Sequence, residues 1–248
     1  MAPARIARAL ILTLLMIPRA FASATECQAI AGGAPALAAI DAETRLHWID
    51  RRLAEDATRA RIWAVTWGMA YGSVVVIQLA ILPSTDGTGA KAERIVAASL
   101  AAIGVVSGAV LPLKIMGDQH WWEKHYARSR GDDPCALLHT AEQLLVRGAA
   151  SEEFGISPLI HVGNFALNIA AGLLLGLGYD RWSAFAYASI VGIVVGEIQV
   201  ATQPTDVIED LRLYRAGELT TSHRPRLGIA LAPIVRPDGG GALVTFRF

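Results

Sequence analysis

A lone glutamate, Glu197, closes an apolar run, IVGIVVGEIQ over residues 190–199. A carboxylate within lipid is costly and marks either function or a satisfied partner. From Trp182 to Glu197 a helix rises about 22 Å. That leaves Glu197 roughly 8 Å below one face of a ~30 Å hydrocarbon core. His161 lies about 6 Å in from Ser157, and Asn164 about one turn deeper. The spacing therefore predicts an intramembrane polar cluster of Glu197, His161, Asn164 and, by snorkelling, Lys114. Such a cluster either relays protons or bonds helices together at about 0.6 kcal/mol per contact. With one acid involved, polar glue is the weightier reading.

A second set of residues could hold a metal. His120/Glu123 and His139/Glu142 are His-x-x-Glu pairs, each confined to one helix face. Facing one another, they would offer two imidazoles and two carboxylates, donors that suit zinc or iron. The plainer reading is interfacial histidines and solvated glutamates. No Gly-x-Ser-x-Gly, His-Glu-x-x-His, phosphate-binding loop or Cys-x-x-Cys occurs. The sequence thus names no catalytic residue and leans away from an enzyme. No cofactor is expected unless the histidines bind zinc or iron.

The elements that must position these residues follow from charge. The 248-residue chain is 53% hydrophobic, 18% charged and formally neutral. Soluble domains carry about 25% charged residues, and a neutral chain has no basic face for nucleic acid. Asp, Glu, Lys and Arg are absent over 62–85, 95–113 and 154–179, and again from Trp182 to Gly196. Each run approaches or exceeds the ~20 residues that cross a bilayer. The expected fold is an all-α integral membrane protein. Four transmembrane helices form an up-down bundle, with helical extensions outside the membrane and a small C-terminal β-hairpin.

The N-terminus has the three parts of a secretory signal. They are Arg5 and Arg8, the apolar stretch Ala9–Ile17, and Ala22-Ser23-Ala24. The chain then divides into a cleaved signal peptide (1–24), an exported amphipathic helix (25–61), transmembrane hairpin 1 (62–113), an exported helical segment (114–156), transmembrane hairpin 2 (157–201) and an exported tail (202–248). Lys91, Arg94 and Arg181 fall in the short inner loops. Cys27 and Cys135 both fall on the oxidising side, where a disulfide between them is allowed.

Local signals fill in the extensions. Leu46, Ile49, Leu53 and Ala57 recur at helical spacing over 36–61, with no break before the first crossing. SRGDDP splits the middle segment into two helices, the second expected to end near Gly148. PTDVIEDLRLYRAG reads as a helix stopped by Gly217 and lying on the membrane surface or on the other helices. PDGGG turns the tail back as a hairpin. The terminal alternation Ala242, Val244, Phe246, Phe248 resembles the last strand of bacterial outer-membrane barrel proteins.

Every crossing carries a Gly-x-x-x-Gly pair: Gly68/Gly72, Gly104/Gly108, Gly172/Gly176 and Gly192/Gly196. Paired glycines let helix backbones approach closely, so a tight bundle is expected. The partners implied are the lipid bilayer and, through the glycine faces, a second copy or another envelope protein. The functional expectation is a non-catalytic structural or interaction component of the bacterial envelope. Helix hydrophobicity favours the inner membrane, with large periplasmic segments, and the barrel-like tail favours the outer. Two alternatives stand beside it: a metal-dependent membrane enzyme using the histidines, and a small transporter or proton-coupled device using Glu197.

Overall fold

The structure, a computed structural model, describes residues 27–110, 113–129, 131, 133–220, 228–236 and 239–247. The expected signal peptide lies outside the described residues, as does Phe248.

The first helix, α1 (Pro35–Ala38), is a single turn. The chain then enters α2 (Ala42–Ile81), an unbroken rod of 40 residues, about 60 Å long. Its start falls later than the sequence spacing suggests because Asp41 caps it. The Asp41 carboxylate accepts from the Thr44 N–H at 2.9 Å, satisfying one of the orphan donors at a helix N-terminus. The rod has two characters. Its first half buries Leu46, Ile49 and Leu53, whereas its second half exposes Ile62, Val65 and Met69.

α3 (Thr88–Val110) returns along α2. α4 (Lys114–Arg128) and α5 (Pro134–Gly155) flank the expected break at SRGDDP. Asp133 caps α5 by accepting from the Cys135 N–H at 3.0 Å. α5 runs on past Gly148 to Gly155, contrary to the expected stop. Gly148 serves packing instead: a Cβ there would lie 3.0 Å from Val207 Cγ1. α6 (Pro158–Tyr179) and α7 (Trp182–Ala201) form a second hairpin, joined by Asp180 in the left-handed region at φ 53°. α8 (Asp206–Ala216) ends at Gly217, whose φ of 77° suits glycine. Past it, the backbones of β1 (Gly228–Arg236) and β2 (Gly239–Arg247) pair antiparallel, Gly228 opposite Arg247 and Arg236 opposite Gly239.

Two environments result. α1, the first half of α2, α4, α5 and α8 enclose a core that includes Ile49, Leu53, Trp122, Leu138, Leu145 and Tyr214. We call this part the cap. A disulfide joins Cys27 to Cys135, with Cα atoms 5.4 Å apart, and staples its N-terminal end to α5. α8 lies on the cap, burying Val207, Leu211 and Tyr214. The remaining helices turn apolar side chains outward, among them Val76, Leu159, Leu177, Tyr187 and Ile190. An exposed apolar belt of this extent marks a surface made for lipid or protein. Three helical stretches, Ala42–Ile81, Pro134–Tyr179 and Trp182–Ala216, are long and apolar enough to cross a membrane.

Candidate functional site

The αL turn at Asp180 brings α6 and α7 side by side, so residues of equal depth face each other. His161 Nδ1 lies 2.6 Å from Glu197 Oε2, and Asn164 Nδ2 donates to Glu197 Oε1 at 2.9 Å. The same Asn164 amide reaches the Ile193 carbonyl at 3.0 Å. One turn inward, Asn168 Nδ2 donates to the Asn164 carbonyl at 2.9 Å and to its Oδ1 at 2.8 Å. Ser189 Oγ then donates to the Asn168 carbonyl at 3.2 Å. The structure thus brings Glu197, His161 and Asn164 together and extends them into a ladder. Lys114 is not among the partners of Glu197. Its backbone N–H donates to Ser151 Oγ at 3.1 Å at the start of α4.

The glycines of this hairpin serve the ladder. A Cβ on Gly192 would collide with Asn168 Oδ1, and one on Gly196 with Asn164 Oδ1. Gly172 is closed in by Phe185 and Ser189, and Gly176 by the Trp182 ring. Gly104 faces the Tyr71 ring, 2.8 Å from a built Cβ. Gly68, Gly72 and Gly108 meet nothing within 4 Å. The glycine pairs therefore differ in use. Those of α6 and α7 make room for amide and aromatic side chains, while the pair on α2 faces open space.

Chemically, the ladder is a chain of hydrogen bonds along one hairpin. Both Glu197 oxygens have partners, and the polar chain stops at Ser189. From Ser189 to Trp182 is about 10 Å of helix, and there the hairpin packs Gly172, Leu175 and Gly176 against Phe185 and Trp182. The side-chain ladder therefore ends in apolar packing.

The histidine set is not assembled. Among the described residues no group of three or more His, Cys, Asp or Glu could hold a metal ion. His120 and Glu123 are exposed on α4, where Glu123 accepts from Gln119. His139 Nε2 lies 2.8 Å from Gln143 Nε2 on α5. Glu142 turns into the cap and is buried. Its Oε1 meets Arg45 Nη2 at 2.5 Å and accepts from the Tyr214 hydroxyl at 2.5 Å. A carboxylate already held by a buried guanidinium is not available to a cation. The expected shell fails because Arg45 and Tyr214 hold Glu142 inside the cap while His139 stays exposed at the edge of the same face.

That buried pair belongs to a network that the sequence pattern alone did not reveal. Arg45 Nε donates to the Tyr214 hydroxyl at 2.9 Å, and Nη1 to the Cys27 carbonyl at 3.1 Å. Arg45 is fully buried and Glu142 nearly so. Tyr214 also stacks on Trp48, with ring centroids 5.6 Å apart. Burial, then the bond to Glu142, pushes the Tyr214 phenol upward, so it remains a donor. Arg45, Ile49, Arg52 and Asp56 fall at helical spacing on one face of α2. Charges on an otherwise apolar stripe were the available signal.

Deeper in the cap lies a carboxylate cluster of Asp56, Asp206, Asp210 and Glu152. All four are buried, at 1%, 7%, 1% and 1% exposure. Arg59 Nη1 reaches Asp206 Oδ1 at 2.9 Å, and Arg52 Nε lies 3.7 Å from Asp210 Oδ2. Glu152 Oε2 accepts from the Ile208 N–H at 3.2 Å. Burial, then the charges of Asp210 and Asp206, pushes the Asp56 carboxyl up to about 9. Burial likewise pushes Glu152 up to about 8, against the hydrogen bond from Ile208. Both lie outside the charge-free runs, and both keep their protons at neutral pH.

The fold and its polar sites define a class: a helical protein with a stapled cap and helices apolar enough for a membrane. No family model matches the chain, and no curated protein or solved structure matches it.

Proposed function

We propose that the chain is a non-catalytic, structural or interaction component of the bacterial envelope, threaded through lipid four times. In this reading the fourth crossing is α3, through its charge-free run from Ile95 to Leu113. The cap, the C-terminal hairpin and both ends of the mature chain face the exported side, and the inner membrane is the host. The cap is the part that partners see, and the hairpin beyond α8 is a candidate for strand addition to one of them.

One observation carries the choice among functions. Each Glu197 oxygen has a partner within its own hairpin, and the ladder beyond it stops at Ser189. This supports a residue that bonds two helices rather than one that moves a proton. The signal-like N-terminus and the Cys27–Cys135 disulfide support the exported side for the cap.

Two measurements test the reading. A reporter active only outside the cytoplasm is fused after Phe248 and, in a separate fusion protein, inserted within the loop at Asp86. Activity in the first and silence in the second are expected, and the reverse pattern overturns the topology. Purified protein in sealed vesicles should leave a pH gradient at its background decay rate, with Glu197→Gln indistinguishable from wild type. Gradient collapse by wild type alone would establish the proton-coupled alternative instead.

A further inference from the structure

The two hairpins do not close on each other. Their principal helix contact is α3 against α6. On the other side, α2 and α7 reach each other through long side chains. Tyr71 donates to Gln199 Oε1 at 2.7 Å, and Trp67 Nε1 to Thr202 Oγ1 at 3.1 Å. A half-open groove of about 1630 Å³ remains between the pairs. Small-molecule sites usually measure about 300–1,000 Å³, so this one is large even for a drug-sized ligand. Along α2 it extends from Trp63 to Gln78, about 22 Å of rise. That covers most of a ~30 Å core. Its walls are mostly apolar, with Val74, Leu100, Leu167 and Val191 among them, and the ladder amides Asn164 and Asn168 also border it. Gly108, Gly117 and Gly163 line it, and a Cβ on any of them would meet nothing within 4 Å.

Each end of the groove carries two cations and one carboxylate: Arg94, Arg181 and Glu93 away from the cap, and Lys114, Arg147 and Asp118 beside it. At the far end both cations have side-chain partners. Arg181 Nε pairs with Glu93 Oε1 at 2.5 Å, and Arg94 Nη1 donates to Gln78 Oε1 at 3.2 Å. At the cap end the groove is bordered by Lys114, Arg147 and Asp118. Arg147 pairs with Asp118 at 2.6 Å, yet its side chain is 56% exposed. Lys114 is exposed and has no ion pair among the described residues. Two cations stand there against one carboxylate. An apolar slot open to the belt, with an exposed lysine that has no ion pair among the described residues at its cap end, matches an amphiphile with an anionic head.

We propose that the groove holds an acyl chain of an anionic bilayer phospholipid, with its phosphate on Lys114 and Arg147 at the cap end. The inference rests on the reading that the belt is embedded in lipid. The glycines keep the slot wide enough for a hydrocarbon chain, and snorkelling lets Lys114 meet a phosphate at the interface. A zwitterionic headgroup carries the same phosphate, but its choline cation offsets much of the attraction, so a net anionic lipid is preferred.

The full chain, extracted from membranes and delipidated in detergent, is titrated with phosphatidylglycerol or phosphatidylcholine and followed by native mass spectrometry. Wild type should bind one phosphatidylglycerol in preference to phosphatidylcholine. Lys114→Gln should cut that preference about fivefold, the effect of about 1 kcal/mol per interfacial cation. Gly163→Phe fills the slot and should weaken both lipids at least tenfold. Gly108→Leu repeats that arm should Gly163→Phe not fold. Equal binding of the two lipids by wild type, or unchanged binding after either filling substitution, overturns the proposal. So does a dimer whose interface is protected at position 163, because a second copy then occupies the slot. Recovery of the chain in the membrane fraction is scored before any lipid is added, so failure of the membrane reading is seen separately.

Discussion

Arg45 and Glu142, 97 positions apart, meet as a fully buried ion pair with Nη2 and Oε1 2.5 Å apart. The pair ties α2 to α5, and Tyr214 adds α8 by bonding to both. Three helices of the cap thus converge on one carboxylate oxygen. Removing one partner of a buried pair leaves an uncompensated charge, which costs about 3–5 kcal/mol. Glu142→Ala should therefore lower the unfolding midpoint of the cap sharply, as followed by tryptophan fluorescence. Tyr214→Phe, which removes a donor to Glu142 and an acceptor from Arg45 but leaves the ion pair, should cost less, about 1.5–3 kcal/mol. Equal midpoints for wild type and Glu142→Ala would mean that the pair does not hold the cap.

The carboxylate cluster sets a pH dependence of known sign. Asp56 and Glu152 rise from ordinary values of 3.8 and 4.5 to about 9 and about 8 in the folded cap. The folded chain therefore holds protons that the unfolded chain releases. Stability from these groups is full below about pH 4 and is lost as pH rises through 8 and 9. Asp206 and Asp210 strengthen the effect, while Arg52 and Arg59 oppose it by pairing with them. The cap should melt several degrees lower at pH 9 than at pH 6. Asp56→Asn, which removes the titrating proton, should flatten that slope. A midpoint that rises with pH would contradict the assignment.

The fold was more legible in the sequence than the site. Gaps in charge mark where α2, α3, α6 and α7 are apolar, because lipid and charge exclude each other whatever the packing. The stop at Gly217 was legible for a similar reason, because it acts on its own backbone. The pairing of Glu197 with His161 and Asn164 could be reached by counting depth, since a two-residue turn fixes the register of α6 against α7. The cap network could not. Arg45, Glu142 and Tyr214 come from three separated helices, and only tertiary packing decides which face of α5 turns inward. The same rotation that buries Glu142 against Arg45 leaves His139 outside and separates the expected metal ligands. Gly148 misled for a local reason, since a glycine that admits Val207 looks in sequence like one that stops a helix.

The Cys27–Cys135 bridge closes a separation of 108 residues. Cross-links over about 100 residues lower unfolded-chain entropy by an amount worth roughly 4.7 kcal/mol, and losing a native bridge typically costs about 2–5. Reduction, or Cys135→Ala, should destabilise the cap by that order. The helices of the belt, held by their own contacts, should keep their far-ultraviolet circular dichroism. Arg45 Nη1 holds the Cys27 carbonyl, so the bridge and the ion pair stabilise one corner. The double variant Cys135→Ala/Glu142→Ala should thus cost less than the sum of the two. Strict additivity would show that the two devices act apart.

The glycine pairs give the sharpest contrast between similar sequence signals. Gly192 and Gly196 lie against Asn168 and Asn164, and a methyl group at either position collides with the side-chain amide. Displacing those amides breaks the bonds to Ile193, Glu197 and the Asn164 carbonyl. Gly68 and Gly72, in the same four-residue spacing, have open space where a Cβ would stand. Alanine is the better helix former by about 1 kcal/mol. Gly192→Ala and Gly196→Ala should each lower the midpoint of detergent-solubilised protein. Gly68→Ala and Gly72→Ala should leave it unchanged or raise it. Were the α2 pair instead the seat of a second copy, Gly68→Ala would weaken self-association without lowering the midpoint of the monomer. A concentration series by analytical ultracentrifugation separates these outcomes, because intramolecular packing does not depend on protein concentration and helix pairing between copies does.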